Sequence, residues 1–201
     1  MRSLVLATRN EHKLVELRRI LADAGLTVHL LGLADFPQIG EVAETGLTFA
    51  ENALLKAHAV AQGSGLPAIA DDSGLCVGAL NGMPGVFSAR WSGKHGDDQA
   101  NLDLLLAQVS DVPEGRREAH FTCAAALALP GGDERVVEGR LHGRLTFTPR
   151  GTGGFGYDPI FVPDGESRTT AEMSPAEKDA ISHRGRAFRE LATLLDRFPG
   201  L

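Results

Sequence analysis

A chain of 201 residues with 43% apolar and 23% charged content can close one sizeable core, which argues against disorder. Its formal net charge of -6 has the wrong sign for a general nucleic-acid binder, although a local group of cations can still hold a small polyanion. No run approaches the ~20 apolar residues of a membrane span, and Leu4 to Ala7 is too short for the apolar region of a signal peptide. Cys76 and Cys123 have neither CxxC spacing nor a zinc partner set and read as reduced, buried thiols. The expectation is a single domain over residues 1–201, cytoplasmic, with no nucleic-acid or membrane partner.

In chain order, Leu4 to Ala7 predicts a short buried strand. Thr8 to Asn10 then offers N-cap chemistry for a helix over Lys13 to Ala24, with Gly25 as its stop. Leu26 to Leu31 reads as a second strand, and residues 32–46 as a loop rich in glycine and acids. Thr48-Phe49-Ala50-Glu51 is a capping box opening a helix through Ala61 that ends at Gly63. A strand over 66–70 leads into an Asp71-Asp72-Ser73-Gly74 turn and a further apolar stretch to Leu80. Asp97 to Val109 predicts a helix. Ala119 to Leu129 and Arg135 to Leu141 predict a hairpin around Pro130-Gly131-Gly132-Asp133. Ile160 to Val162 is strand-like. Ser174-Pro175-Ala176-Glu177 opens a last helical stretch, broken near Ser182 to Gly185 and continuing to Phe198. The order implies an α/β sheet carrying some antiparallel strands.

Four clusters carry chemistry-bearing groups. At Thr8 to Lys13 a helix start, a hydroxyl, an amide and a cation together suit an anion, against the competing reading of a plain N-cap. Asp71 and Asp72 suit a hard divalent cation, with Glu41 and Glu44 as candidates to complete the set; the competing reading is a solvated turn. In Gly151 to Pro159 four glycines and the aromatics Phe155 and Tyr157 suit a flat base, or else a glycine-rich hairpin around a buried aromatic. Lys178 with Ser182 to Arg186 suits phosphate or base carbonyls, or a charged helix face. Lys56 and Arg90 are further cations. His95 beside Asp97 and Asp98 reads as loop plus N-cap rather than a metal set. Taken together, the four clusters point to a nucleotide.

The stretches LATRNEHK, ETGLTFAENALLKA, LPAIADDSGLCV, PGVFSARWSG, GTGGFGYDPIF and EKDAISHRG, in that order from residue 6 to residue 185, resemble the inosine triphosphate pyrophosphatase family. The resemblance implies hydrolysis of non-standard purine nucleoside triphosphates (ITP, dITP, XTP) to monophosphate and pyrophosphate, which cleanses the nucleotide pool. It implies an elongated mixed α/β fold, a sheet flanked by helices in two lobes with the site between them, and a homodimer. It places triphosphate binding on Thr8, Arg9, Asn10, Glu11, His12 and Lys13, with Arg9, Glu11 and His12 at variable positions. Magnesium falls to Glu44 and Asp72, proton acceptance to Asp72, and substrate contacts to Ser73 and Lys56. Nucleoside binding falls to Phe155, Gly156, Tyr157, Asp158, Lys178, His183 and Arg184. On this reading Asp71 orients Asp72 or a metal-bound water, and Arg184 or backbone N–H groups donate to the base's 6-oxygen. A pyrophosphatase for modified pyrimidine triphosphates and a non-enzymatic nucleotide sensor are the alternatives.

Overall fold

The structure, a computed structural model, describes residues 2–9, 11–23, 25 and 28–195. A six-stranded sheet runs in the order β2-β1-β3-β4-β5-β6. The strands are Arg2–Leu6 (β1), Val28–Gly32 (β2), Ala68–Val77 (β3), Glu118–Ala128 (β4), Glu134–Leu145 (β5) and Phe161–Pro163 (β6). β1 pairs in parallel with β2 and β3, while β5 and β6 are antiparallel, so the sheet is mixed. The helices are Glu11–Asp23 (α1), Phe49–Ser64 (α2), Asp98–Gln108 (α3), Pro175–Ile181 (α4) and His183–Leu195 (α5). No helix among the described residues is long and apolar enough to cross a membrane.

The chain divides into two compact units, one of Met1–Asp72, Cys123–Gly139 and Arg184–Leu201, the other of Ser73–Thr122 and Arg140–His183. In the first, the two faces of the sheet carry separate cores. Leu4, Leu6, Ile69, Cys123, Ala125 and Leu127 pack with Leu17, Ile20 and Leu21 of α1 and Phe188 and Leu191 of α5. Val5, Ala68, Ala70, Ala124 and Ala126 pack on the small side chains Ala53, Ala57 and Ala61 of α2. The split follows the period of two along a strand, which sends neighbouring side chains to opposite faces.

In the second unit Leu75, Val77, Leu102, Leu105, Phe121, Leu141, Tyr157 and Phe161 form the core. Arg117 is buried within it, and among the described residues it pairs with no carboxylate. Its guanidinium donates to the carbonyls of Val109, Val112, Leu145 and Thr146, and it lies 4.2 Å over the Phe147 ring. Those carbonyls lie at the C-cap of α3, in the turn that follows it and at the end of β5, so one cation ties the three places together.

Local chemistry accounts for most boundaries. Thr48 and Ser174 cap α2 and α4 as the capping boxes require, each hydroxyl accepting from the N–H three residues on. α2 runs past the expected stop at Gly63 and ends at Gly65, which takes the left-handed conformation (φ 68°). Ile39 leaves no room for a side chain at Gly63, where an added Cβ would lie 2.9 Å from Ile39 Cγ1. The expected break at Ser182 is present, with extended backbone between α4 and α5. Both cysteines are buried, and neither is in a disulfide. The large departure is β3, which continues through Asp71, Asp72, Ser73 and Gly74 where a turn was expected. The expectation for residues 196–198 lies outside the described residues.

Gly143→Ala tests the short β6 pairing in the second unit, because an added Cβ would meet Val162 O at 2.2 Å and Pro163 Cα at 3.0 Å. The backbone cannot swing aside as a side chain can, so a loss of about 1–3 kcal/mol is expected. Urea denaturation checks it, and wild-type stability would show that β6 gives way without cost.

Candidate active site

Asp71 and Asp72 are adjacent in β3, are 3% and 6% exposed, and point to opposite faces of the strand. Asp72 turns toward α2. Its Oδ1 accepts from Lys56 Nζ at 3.2 Å and its Oδ2 from Asn52 Nδ2 at 3.2 Å. Lys56 also donates to Glu44 Oε1 at 2.8 Å, so one ammonium bridges the strand carboxylate and the carboxylate of the 32–48 loop. Burial pulls the Lys56 ammonium down, but Asp72, Asp71 and Glu44 outweigh it and hold its pKa above the ordinary lysine value.

Asp71 turns toward α1 and α5. Its Oδ2 accepts from Arg184 Nε at 3.3 Å, and Arg184 Nη1 donates to Glu16 Oε2 at 2.7 Å. All three side chains are buried. Burial works against the Arg184 charge, but Glu16 and then Asp71 more than restore it, so the guanidinium is held more firmly protonated than a free one. Asp71 therefore lies on the far face of the strand from Asp72 and does not orient it directly. The Arg184 guanidinium thus spends Nε and Nη1 on buried carboxylates.

The first predicted cluster is only partly on view. α1 begins at Glu11, directly after the expected cap region. Thr8 is half-buried, and Arg9 donates from Nη2 to Ile39 O at 2.6 Å, fastening the turn to the 32–48 loop. Asn10 and the side chains of Glu11, His12 and Lys13 lie outside the described residues. Glu41 is exposed and Ser73 half-buried.

The second unit holds the remaining candidates around Asp158, which is 3% exposed. Its Oδ2 accepts from the Phe155 N–H at 2.8 Å and from Lys178 Nζ at 2.6 Å, and its Oδ1 accepts from Thr170 Oγ1 at 2.8 Å. Lys178 Nζ also sits 4.9 Å from the centroid of the half-buried Phe155 ring. Gly154 has φ +72°, and an added Cβ would fall 2.0 Å from Asp158 Oδ2. That glycine thus serves the chain's own carboxylate as well as any ligand.

Tyr157 and Phe155, read together in the sequence, separate here. Tyr157 is buried, its hydroxyl donates to Ser88 O at 2.9 Å, and burial first and Asp98 second push the phenol's pKa up. Gly156 N–H donates to Asp98 Oδ2 at 2.9 Å, anchoring the glycine-rich loop to the first turn of α3. Asp97 caps α3, as expected. His183 is buried and stacks on Phe121 at 4.8 Å and 11°.

Sequence reasoning missed Asn52 and read Asp98 only as part of a loop and N-cap beside His95. Each meets its partner only through tertiary structure. A polar residue on the apolar side of α2 is the one signal the pattern offered for Asn52.

Among the described residues no three His, Cys, Asp or Glu side chains gather into one metal-binding group. Glu44 and Asp72, drawn to one ammonium, form a two-carboxylate set, and that chemistry fits Mg2+. Magnesium takes one or two protein carboxylates and fills its other positions with water and phosphate oxygens. The set lacks the thiolates and imidazoles that zinc prefers.

Residues 4–194 match the Ham1 family. The chain is 66% identical over 200 residues to the dITP/XTP pyrophosphatase of Streptomyces avermitilis, covering 100% of both chains. A solved structure of a HAM1 protein from Coxiella burnetii superposes with a TM-score of 0.89 at 41% identity, covering 98% of this chain and 100% of that one. The crystal structure of the nucleoside-triphosphatase / dITP/XTP pyrophosphatase of Mycobacterium abscessus gives 0.78 at 56% identity, covering 96% and 98%.

Since Lys56 is held above the usual 10.5, folding strengthens its hold on a proton. That contribution to stability is complete below about pH 10.4 and is lost as the pH climbs through the higher folded value. Lys56→Met should remove this alkaline loss and cost about 3 kcal/mol at neutral pH, because Glu44 and Asp72 lose their common cation. Denaturant titrations from about pH 7 to about pH 11 check both. Two parallel curves would mean that Lys56 is not paired in solution.

Proposed function

The chain belongs to the Ham1 family, and on that footing we propose that it is a nucleoside-triphosphate pyrophosphatase acting on dITP, ITP and XTP. The observation that carries this reading is the Lys56 ammonium joining Glu44 and Asp72. It brings a buried potential base, a second carboxylate and a cation together as phosphoanhydride hydrolysis requires.

Glu44 and Asp72 would hold Mg2+, which when bound neutralises triphosphate charge and makes water more acidic. Asp72 accepts the proton of the water whose oxygen attacks phosphorus at the α–β linkage. The anhydride P–O bond breaks and pyrophosphate leaves. Lys56 supplies positive charge next to both carboxylates, and the amides at the start of α1, with Thr8, Asn10 and Lys13, take phosphate oxygens. Arg9, Glu11 and His12 complete that segment, and Ser73 contacts the substrate beside Asp72. Most of the acceleration comes from positioning and charge stabilisation.

Base recognition falls to Phe155, Gly156, Tyr157, Asp158, Lys178, His183 and Arg184, in different ways. Phe155 offers a ring face. Lys178, tied to Asp158, presents further N–H donors to an acceptor at the 6-position, where adenine carries an amino group. Tyr157, His183 and Arg184 act through packing and ion pairing rather than direct contact. The same reading includes a single catalytic domain over 1–201 working as a cytoplasmic homodimer.

The test is release of pyrophosphate and orthophosphate, measured separately, from ITP, XTP, dITP, ATP, GTP and dUTP with magnesium. Pyrophosphate from the first three, with little from ATP or GTP, is expected, and Asp72→Asn should lower kcat by about 10²–10⁴-fold. Orthophosphate, or indifference to the base, would overturn the assignment, and preference for dUTP would move it to pyrimidines. In the same assay Phe155→Ala should raise KM about tenfold, the size of a lost base–aromatic stack, with kcat little changed.

A further inference from the structure

Asn52 is completely buried in α2 and both ends of its amide are in use. Its Oδ1 accepts from the Gly46 N–H at 2.8 Å, while its Nδ2 donates to Asp72 Oδ2 at 3.2 Å. The orientation is dictated by the partners. A flipped amide would set NH2 against an N–H and a carbonyl oxygen against a carboxylate, losing both bonds at once.

Gly46 is pressed onto this amide. An added Cβ would lie 2.7 Å from Asn52 Oδ1 and 2.6 Å from Glu51 Cβ, so the loop comes as near to α2 as bare backbone allows. Glu51 holds the next two amides, accepting from Leu47 N–H at 2.6 Å and Thr48 N–H at 3.2 Å. Three successive amides of the loop that carries Glu44 are thus fastened to one turn of α2. The same turn, through Asn52, grips Asp72 on β3.

We propose that Asn52 is a positioning residue that sets the separation of Glu44 and Asp72, so that the pair is spaced for a divalent cation before substrate arrives. The inference rests on the reading of that pair as the metal site. Lys56 also joins the two carboxylates, but through a flexible four-carbon stem with a freely rotating ammonium, which does not fix a distance. Asn52 acts from a rigid helix through a short planar group that leaves neither partner slack. It touches neither metal nor substrate.

The experiment measures direct Mn2+ binding to nucleotide-free protein by the loss of the free-ion EPR signal, alongside kcat and KM for dITP. Wild type, Glu44→Gln, Asn52→Leu and Gly46→Ala are compared. Asn52→Leu keeps the branched outline, at a larger volume, and removes both hydrogen bonds. It should weaken Mn2+ binding about 10–100-fold, as loss of a group that orients metal ligands does, and lower kcat with KM little changed. Gly46→Ala displaces the loop from the other side, leaves Asn52 and the helix core in place, and should act in the same direction if Asn52→Leu does not fold. A lowered melting temperature with wild-type Mn2+ affinity and kcat in either variant would overturn the proposal and leave Asn52 a purely structural residue. If Glu44→Gln loses Mn2+ while Asn52→Leu keeps it, Asn52 alone was misread. If wild type binds no Mn2+, the metal reading fails and the proposal with it.

Discussion

Two carboxylates side by side in a buried strand would repel each other and break the strand, were it not for the pleat. Because successive side chains leave a strand on opposite faces, Asp71 and Asp72 make their direct contacts with different partners, although the Lys56 charge is felt by both. Each meets its own cation: Arg184 on the face of α1 and α5, Lys56 on the face of α2. Neither ion pair is worth much as net stability, since desolvation consumes most of the Coulomb gain. Their consequence is geometric, because removing either cation would leave a buried charge without compensation. β3 can therefore run unbroken from Ala68 to Val77 and present Asp72 on rigid backbone rather than on a turn.

The two faces then divide the labour. One carries a structural triad of Glu16, Arg184 and Asp71 sealed among large aliphatic side chains. The other carries Asp72, Lys56, Asn52 and Glu44 beside a core of alanines, whose small size lets α2 lie close to the sheet. Close approach matters, because lysine and asparagine side chains of α2 must reach a strand carboxylate while the helix start holds the 44–48 loop. In the second unit Asp158 plays a comparable organising part, drawing in a lysine, a threonine hydroxyl and a backbone amide. Its demand for space explains a glycine that a ligand-centred reading would assign to the substrate.

Much of this was legible where the cause is local. Capping boxes at Thr48 and Ser174, the break at Ser182 and the hairpin after Leu129 all depend on residues within a few positions of one another. The candidate site residues were legible as types and as motifs, because hydroxyl, amide, acid and cation at fixed spacing imply a phosphate chemistry. What was not legible depended on partners far along the chain. Asp-Asp-Ser-Gly has the composition of a turn, and only cations 16 and 113 residues away make it strand. Asn52 looks like an ordinary helix residue, and Asp98 like part of a loop and N-cap, until Asp72 and Gly156 arrive beside them.

The amino-acid sequence by itself determined the mixed α/β class, the capped starts of α2 and α4, and the inventory of groups able to handle a nucleoside triphosphate. Those properties follow from short-range sterics, hydrogen bonding and periodicity, which neighbouring residues settle among themselves. Only the tertiary structure decided how each charge is spent. It turned Asp72 toward Lys56 and Asn52 and Asp71 toward a buried ion pair with Arg184, and put Tyr157 in the core while leaving Phe155 half-open. A buried charge has no defined role until its counter-charge is placed, and that placement is a property of packing between distant segments.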